Sequence, residues 1–253
     1  MTTNETDLLL KRFVSEIQQA VPTVAVWAHG SLALGDFQPG RSDLDLIAVV
    51  EKEPDTERKT ALAGIHRRLL AEEPAAAKLH CSYMAVTALG EVGADHVTWA
   101  HRTLFARPVT PVTREELLTG GLVLHGPAPS ELLPPLAPGA LREFVRHDLE
   151  NYWLPATGKP WRWLKDPWVD LGLLVLARAD ATLRDGRLIS KREALADLAA
   201  LGAPEDVVRD IHDRRYGDPA PIGLRQRVRR GMRARAFVRR GIRQTLARTR
   251  NAE

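Results

Sequence analysis

The chain has a single cysteine, Cys81, which excludes an internal disulfide and points to a reducing compartment. No Cys/His pattern has zinc-ligand spacing, and the eight histidines are scattered. Long hydrophobic runs are missing. Residues 2–10 lack the basic start and extended apolar core of a signal peptide, and the apolar run 169–177 is too short to span a bilayer. A soluble, cytoplasmic monomer with no membrane partner is therefore expected. Acidic residues are almost absent from one end: residues 221–253 hold 11 Arg and one Glu. That leaves 25 Lys+Arg against 31 Asp+Glu in the first 220 residues, a mildly acidic body beneath a net charge of +4. In the basic end Leu224, Val228, Met232, Val238, Ile242 and Leu246 recur at helical spacing, and no aromatic stacking platform is interleaved. The segment thus reads as an Arg-rich helix packed on the rest, with no nucleic-acid partner expected.

What is present is most specific between residues 30 and 50. Gly30-Ser31 opens a segment that ends in Ser42-Asp43-Leu44-Asp45 and runs into the apolar stretch 46–50. Side chains two apart on a strand share a face, so Asp43 and Asp45 present paired carboxylates, hard-oxygen ligands suited to Mg²⁺. A glycine-permitted turn adds backbone N–H groups and a hydroxyl that can hold phosphate oxygens. Asp-x-Asp alone also fits the solvated face of an edge strand. The apolar segments 24–28 and 46–50 on either side favour a site between two strands.

At Gly30, Ser31, Asp43 and Asp45 the chain resembles the polymerase-β-type nucleotidyltransferase superfamily, whose pattern is Gly-Ser, a spacer and two acids separated by one residue on the next strand. The resemblance implies Mg²⁺ on Asp43 and Asp45, and ATP as co-substrate with Gly30, Ser31 and Ser42 on its phosphates. Around this site Leu9, Phe13, Ile17 and Val21 form one stripe of an opening helix stopped by Pro22. Residues 58–70 predict a second helix and 79–86 a third strand. Thr113-Arg114-Glu115-Glu116 reads as a capping box opening a short helix closed by Gly120-Gly121. The Pro- and Gly-rich stretch 126–139 is a hinge. The fold expected is an α/β nucleotidyltransferase domain over residues 1–126, a small mixed sheet with helices, then an all-α helical bundle over 127–253. Helices are expected at 141–152, 168–183, 191–201, 204–215 and the Arg-rich end.

The chain further resembles streptomycin/spectinomycin-type aminoglycoside adenylyltransferases at Arg107-Pro108-Val109-Thr110-Pro111-Val112-Thr113, at Gly121-Leu122-Val123-Leu124-His125-Gly126-Pro127 and at Asp185-Gly186-Arg187-Leu188-Ile189-Ser190-Lys191. That resemblance implies that Lys191, in the first turn after a second capping box, Ser190-Lys191-Arg192-Glu193, touches the ATP triphosphate. It also implies that Tyr216 lies near the nucleotide and that Asp185 faces the acceptor. Two positions depart from the family. On the third strand the general-base carboxylate is replaced by His80, which can accept a hydroxyl proton at neutral pH, with Glu150 and Asp170 as alternatives. Asp180 stands where the two-drug enzymes carry an aromatic, which bears on acceptor choice.

Independently of family, an acidic body suits a polycationic polyol. The cluster Tyr152, Trp153, Trp161, Trp163 and Trp168 either walls a sugar or packs helices. The function expected is Mg²⁺-dependent transfer of AMP from ATP to a hydroxyl of an aminoglycoside. The alternatives are a nucleotidyltransferase-like binding module whose Arg-rich tail holds nucleic acid, and an enzyme acting on another natural product or a protein.

Overall fold

The structure, a computed structural model, describes residues 3–250. The chain divides into two compact units, Met1–Ala137 and Pro138–Glu253. The first contains α1 (Thr3–Ala20), β1 (Thr23–Ala28), β2 (Leu44–Val50), α2 (Thr56–Glu72), β3 (Leu79–Ala85), β4 (Asp95–Ala100), β5 (Thr103–Pro108), α3 (Pro111–Gly120), β6 (Leu122–His125) and α4 (Pro129–Leu132). Its six-stranded mixed sheet runs β5-β4-β3-β2-β1-β6, with only β2 and β3 parallel. Strand parity sorts the core onto two faces. Leu44, Leu46, Cys81 and Tyr83 meet Leu9, Phe13 and Ile17 of α1 and Leu62 and Leu69 of α2. Trp27, Ile47, Val49 and Met84 lie on the other face with Val109, Leu117 and Leu133.

The segment after Gly126 buries Leu133 in the first core, so it packs with the first of these units. The start of α3 also differs from expectation. Thr110, not Thr113, is the N-cap, its Oγ1 accepting from the Thr113 amide at 3.2 Å, and Pro111 at the first helical position is already set to a helical φ. The helix is therefore longer at its start, and Glu116 is released from capping.

The second unit is helical: α5 (Ala140–Asp148), a π-turn over Leu149–Trp153, α6 (Leu154–Ala156), a 3₁₀ turn over Pro160–Leu164, α7 (Asp166–Asp185), α8 (Lys191–Ala200), α9 (Glu205–Tyr216) and α10 (Leu224–Arg250). α7 lies against α5, α8 and α10. Trp163 is fully buried and Trp153 nearly so, so these two rings pack helices, while Tyr152 and Trp161 are exposed. A β-carbon at Gly231 would stand 2.1 Å from the Trp163 carbonyl oxygen, so only glycine lets α10 approach this closely. Val238, Ile242 and Leu246 of α10 are buried. Leu224 and Val228, expected in the same stripe, are exposed, because α10 becomes covered only from Arg230 onward. No helix among the described residues is long and apolar enough to cross a membrane.

Candidate active site

Strand β2 lies between β1 and β3, and one face of these three strands gathers the site. Asp45 pairs in register with His80, and the amide of His29, just beyond β1, donates to the Asp45 carbonyl at 2.9 Å. Gly30 follows with φ +63°, the left-handed region, and a β-carbon there would come within 3.0 Å of Asp45 Oδ2. Glycine is thus required twice, by its backbone angle and by the open space it leaves beside the carboxylate. The chain then turns tightly, Leu34 N–H donating to Gly30 O at 3.0 Å and Asp36 N–H to Ser31 O at 2.9 Å. Ser42 is buried, its Oγ accepting from the Gln38 amide at 3.0 Å, so it staples the loop that returns to β2.

The two aspartates keep 45% and 33% of their side chains exposed, so they are open to a ligand. Lys78 Nζ lies 3.3 Å from Asp43 Oδ1, and His80 Nδ1 lies 3.4 Å from Asp45 Oδ1. Among the described residues no group of three or more His, Cys, Asp or Glu forms a metal cage. Asp43 and Asp45 offer hard carboxylate oxygens, those of Asp45 beside the space at Gly30. That donor set suits Mg²⁺, which usually takes one or two carboxylates and completes its shell with phosphate oxygens and water.

A pair that motif reading missed lies beside them. His29 Nδ1 meets Glu116 Oε2 of α3 at 3.0 Å, both side chains nearly buried. His29, Asp45, His80, Ser82, Arg107 and Thr110 line one small polar cavity of about 70 Å³. His101 adds a ring 5.3 Å from that of His80. It sits in the turn between β4 and β5, where both His101 and Arg102 have positive φ. His80 therefore stands beside Asp45, with His29 in the lining of the same cavity, and a neutral imidazole can take a proton from a hydroxyl. The available signal for His29 was strand parity, since it lies two residues beyond Trp27 and shares its face.

In the helical unit, Lys191 opens α8 behind the capping box: Ser190 Oγ accepts from the Glu193 amide at 3.2 Å, and Glu193 Oε2 from the Ser190 amide at 2.8 Å. Tyr216, closing α9, lies under Arg192 of α8, whose guanidinium is 4.2 Å from the ring centroid. Residues at the start of α8 and the end of α9 are thus neighbours. Asp185 pairs with Arg184 at 2.8 Å, which holds its carboxyl below the ordinary value. Asp180 is buried, accepting from Thr245 Oγ1 and Arg184 Nη1, both at 2.9 Å, and from Arg248; it ties α7 to α10. Asp170 is held by two bonds from Arg214, at 3.0 and 2.6 Å, while burial pushes its carboxyl up. Glu150 faces Arg146 at 3.4 Å.

Residues 10–78 match the family model for the nucleotidyltransferase domain, a span that holds Gly30, Ser31, Asp43 and Asp45 and ends before His80. The fold is similar to that of spectinomycin adenyltransferase AAD(9) from Enterococcus faecialis, solved with ATP and spectinomycin. The TM-score is 0.70 at 14% identity, covering 98% of this chain and 100% of that one. No curated protein matches the chain significantly.

Proposed function

We propose that this chain is an Mg²⁺-dependent nucleotidyltransferase that moves AMP from ATP to a hydroxyl of a small polycationic or polyhydroxylated acceptor of the aminoglycoside class. The observation that carries this reading is the pair of half-buried carboxylates Asp43, one residue ahead of β2, and Asp45 on it, with Asp45 set against the bare Cα of Gly30. The match of residues 10–78 supports the chemistry, and the fold of AAD(9) supports the acceptor class. When bound, the metal would neutralise triphosphate charge. The rest falls to protein groups. Backbone amides at Gly30 and Ser31 meet phosphate oxygens. The acceptor oxygen forms a bond to the α-phosphorus, the α–β bridging bond breaks, and pyrophosphate leaves. The hydroxyl proton passes to His80, whose Nδ1 is turned to Asp45 so that Nε2 accepts. His29, held by Glu116 in the same cavity, is the histidine to compare with it.

Ser42 enters this reading as the staple of the nucleotide loop. Lys191 and Tyr216 are proposed as further nucleotide-binding residues, and Asp185 and Asp180 as the acceptor side, with a cationic amine displacing Arg184 from Asp185. A monomeric cytoplasmic enzyme is the setting this implies. Purified protein, MgATP and a panel of aminoglycosides test it by acceptor-dependent pyrophosphate release, which Asp43→Asn should abolish. MgATP binding without turnover on any acceptor would instead favour a binding module.

A further inference from the structure

The Arg-rich helix carries more positive charge than its packing uses. Along its inner side arginines find carboxylates: Arg230 pairs with Asp166 and Asp210, Arg233 with Asp206, and Arg248 with Asp180. On the outer side Arg239, Arg240 and Arg243 are exposed, and among the described residues none of them pairs with a carboxylate. With Arg235 and Gln244 they line a surface groove of about 580 Å³ that contains no acidic group. Arg239 and Arg243 are four apart, as are Arg235 and Arg239, and like charges at that spacing weaken a helix. Arg225 and Arg227 stand exposed in the first turn, where the helix dipole disfavours cations. No Asp or Glu occurs between Leu224 and Arg250 to offset this.

We propose that the outer face of α10, centred on Arg239, Arg240 and Arg243 and extended by Arg225 and Arg229 on the same helical face, docks on the phosphate backbone of double-stranded nucleic acid without reading its sequence. Charge complementarity selects a polyanion. Four helical residues rise about 6 Å, a step comparable to that between successive phosphates of one strand. Bases are not the target, because the groove has no aromatic side chain on which to stack one. An anionic membrane fits less well. Ala234, Phe237, Val238, Ile242 and Leu246 are buried in the protein and the groove's other residues are Ala236, Gln244 and Ala247, so it has no large apolar side chain to insert; the exposed Leu224 and Val228 lie outside it, at the helix start. The inference is independent of nucleotidyl transfer.

Fluorescence anisotropy with labelled RNA and DNA duplexes of arbitrary sequence, on the full chain between about 50 and 200 mM salt, tests it. Binding to either duplex should weaken steeply with salt. The triple variant Arg239→Ala, Arg240→Ala, Arg243→Ala should flatten the log–log slope by about 3. Replacing the same three by lysine should restore most of it. These residues are exposed, so circular dichroism of the variants should be unchanged. Equal affinity for RNA and DNA identifies the shared phosphodiester as the ligand, and preference for RNA adds its hydroxyls; both support docking. Absence of duplex binding at the lowest salt, binding unaltered in the triple alanine variant, or binding to anionic phosphatidylserine vesicles but not to duplexes would each overturn it.

Discussion

Gly30 is the least replaceable residue of the site. Alanine there would be strained at φ +63° and would push a methyl against Asp45 Oδ2. Gly30→Ala should lower turnover by at least about 100-fold, as misplacement near 1 Å can, while kcat measured at saturating MgATP separates this from weaker binding. Asp43→Asn should abolish Mg²⁺-dependent turnover and leave the melting temperature nearly unchanged, because the side chain is half exposed. A third expectation concerns pH. His66, buried against Trp99 and bonded to Tyr83 Oη at 2.8 Å, has its pKa lowered to about 3 by burial and by nearby His80. The unfolded chain would protonate it near 6.5, so the stability it contributes is present above about 6.5. That stability is lost as pH falls toward 3, by up to about 1.4 kcal/mol per pH unit. His66→Gln should give a flatter dependence of the urea midpoint between neutral and mildly acidic pH. Asp43 and Asp45 were legible in the sequence as two acids one residue apart behind Gly30-Ser31, although β2 begins only at Leu44 and Asp43 stands just ahead of it. The His29–Glu116 pair was not, because it joins positions 87 apart and depends on where α3 begins.

At the level of elements, what local chemistry announces was readable and what packing decides was not. α8 begins behind its capping box, written in adjacent residues, whereas α2, expected from residue 58, begins two residues earlier behind Asp55, whose side chain accepts from the Arg58 amide. The β4–β5 hairpin gives no such signal. Its turn is His101-Arg102, left-handed at both residues, where Asn-Gly or Asp-Gly would have announced it. The closeness of α10 to Trp163 was equally silent, resting on one glycine in a run of arginines. Gly231→Ala should therefore cost about 1–3 kcal/mol, read from thermal or urea unfolding, since the obstructing atom is backbone and cannot rotate away. Asp180→Ala should cost about 1–3 kcal/mol by leaving the buried Thr245 hydroxyl without its acceptor, since Arg184 and Arg248 are exposed enough to be hydrated. If Asp180 also meets the acceptor, its KM should rise in the milder Asp180→Asn variant.

For the whole molecule, the two units each have their own buried core, which makes ligand-induced stabilisation informative. MgATP at about 100 times its Kd should add about 2.7 kcal/mol to the unfolding free energy of whatever holds it. If residues 30–45 alone bind it, calorimetry should show the unfolding of the first unit displaced. If Lys191 and Tyr216 also contribute, both transitions should move, and Lys191→Ala should restore the second to its unliganded position. A single side chain makes such events visible without added probes. Cys81, the sole thiol, sits 1% exposed in β3, between Leu46 and Trp99 on the neighbouring strands, and burial pushes its pKa up. A disulfide reagent can reach it only when this strand parts from its neighbours. Its labelling rate is then a stopwatch on the opening of the strand that bears His80, and any compound that slows that clock has been caught holding the sheet closed.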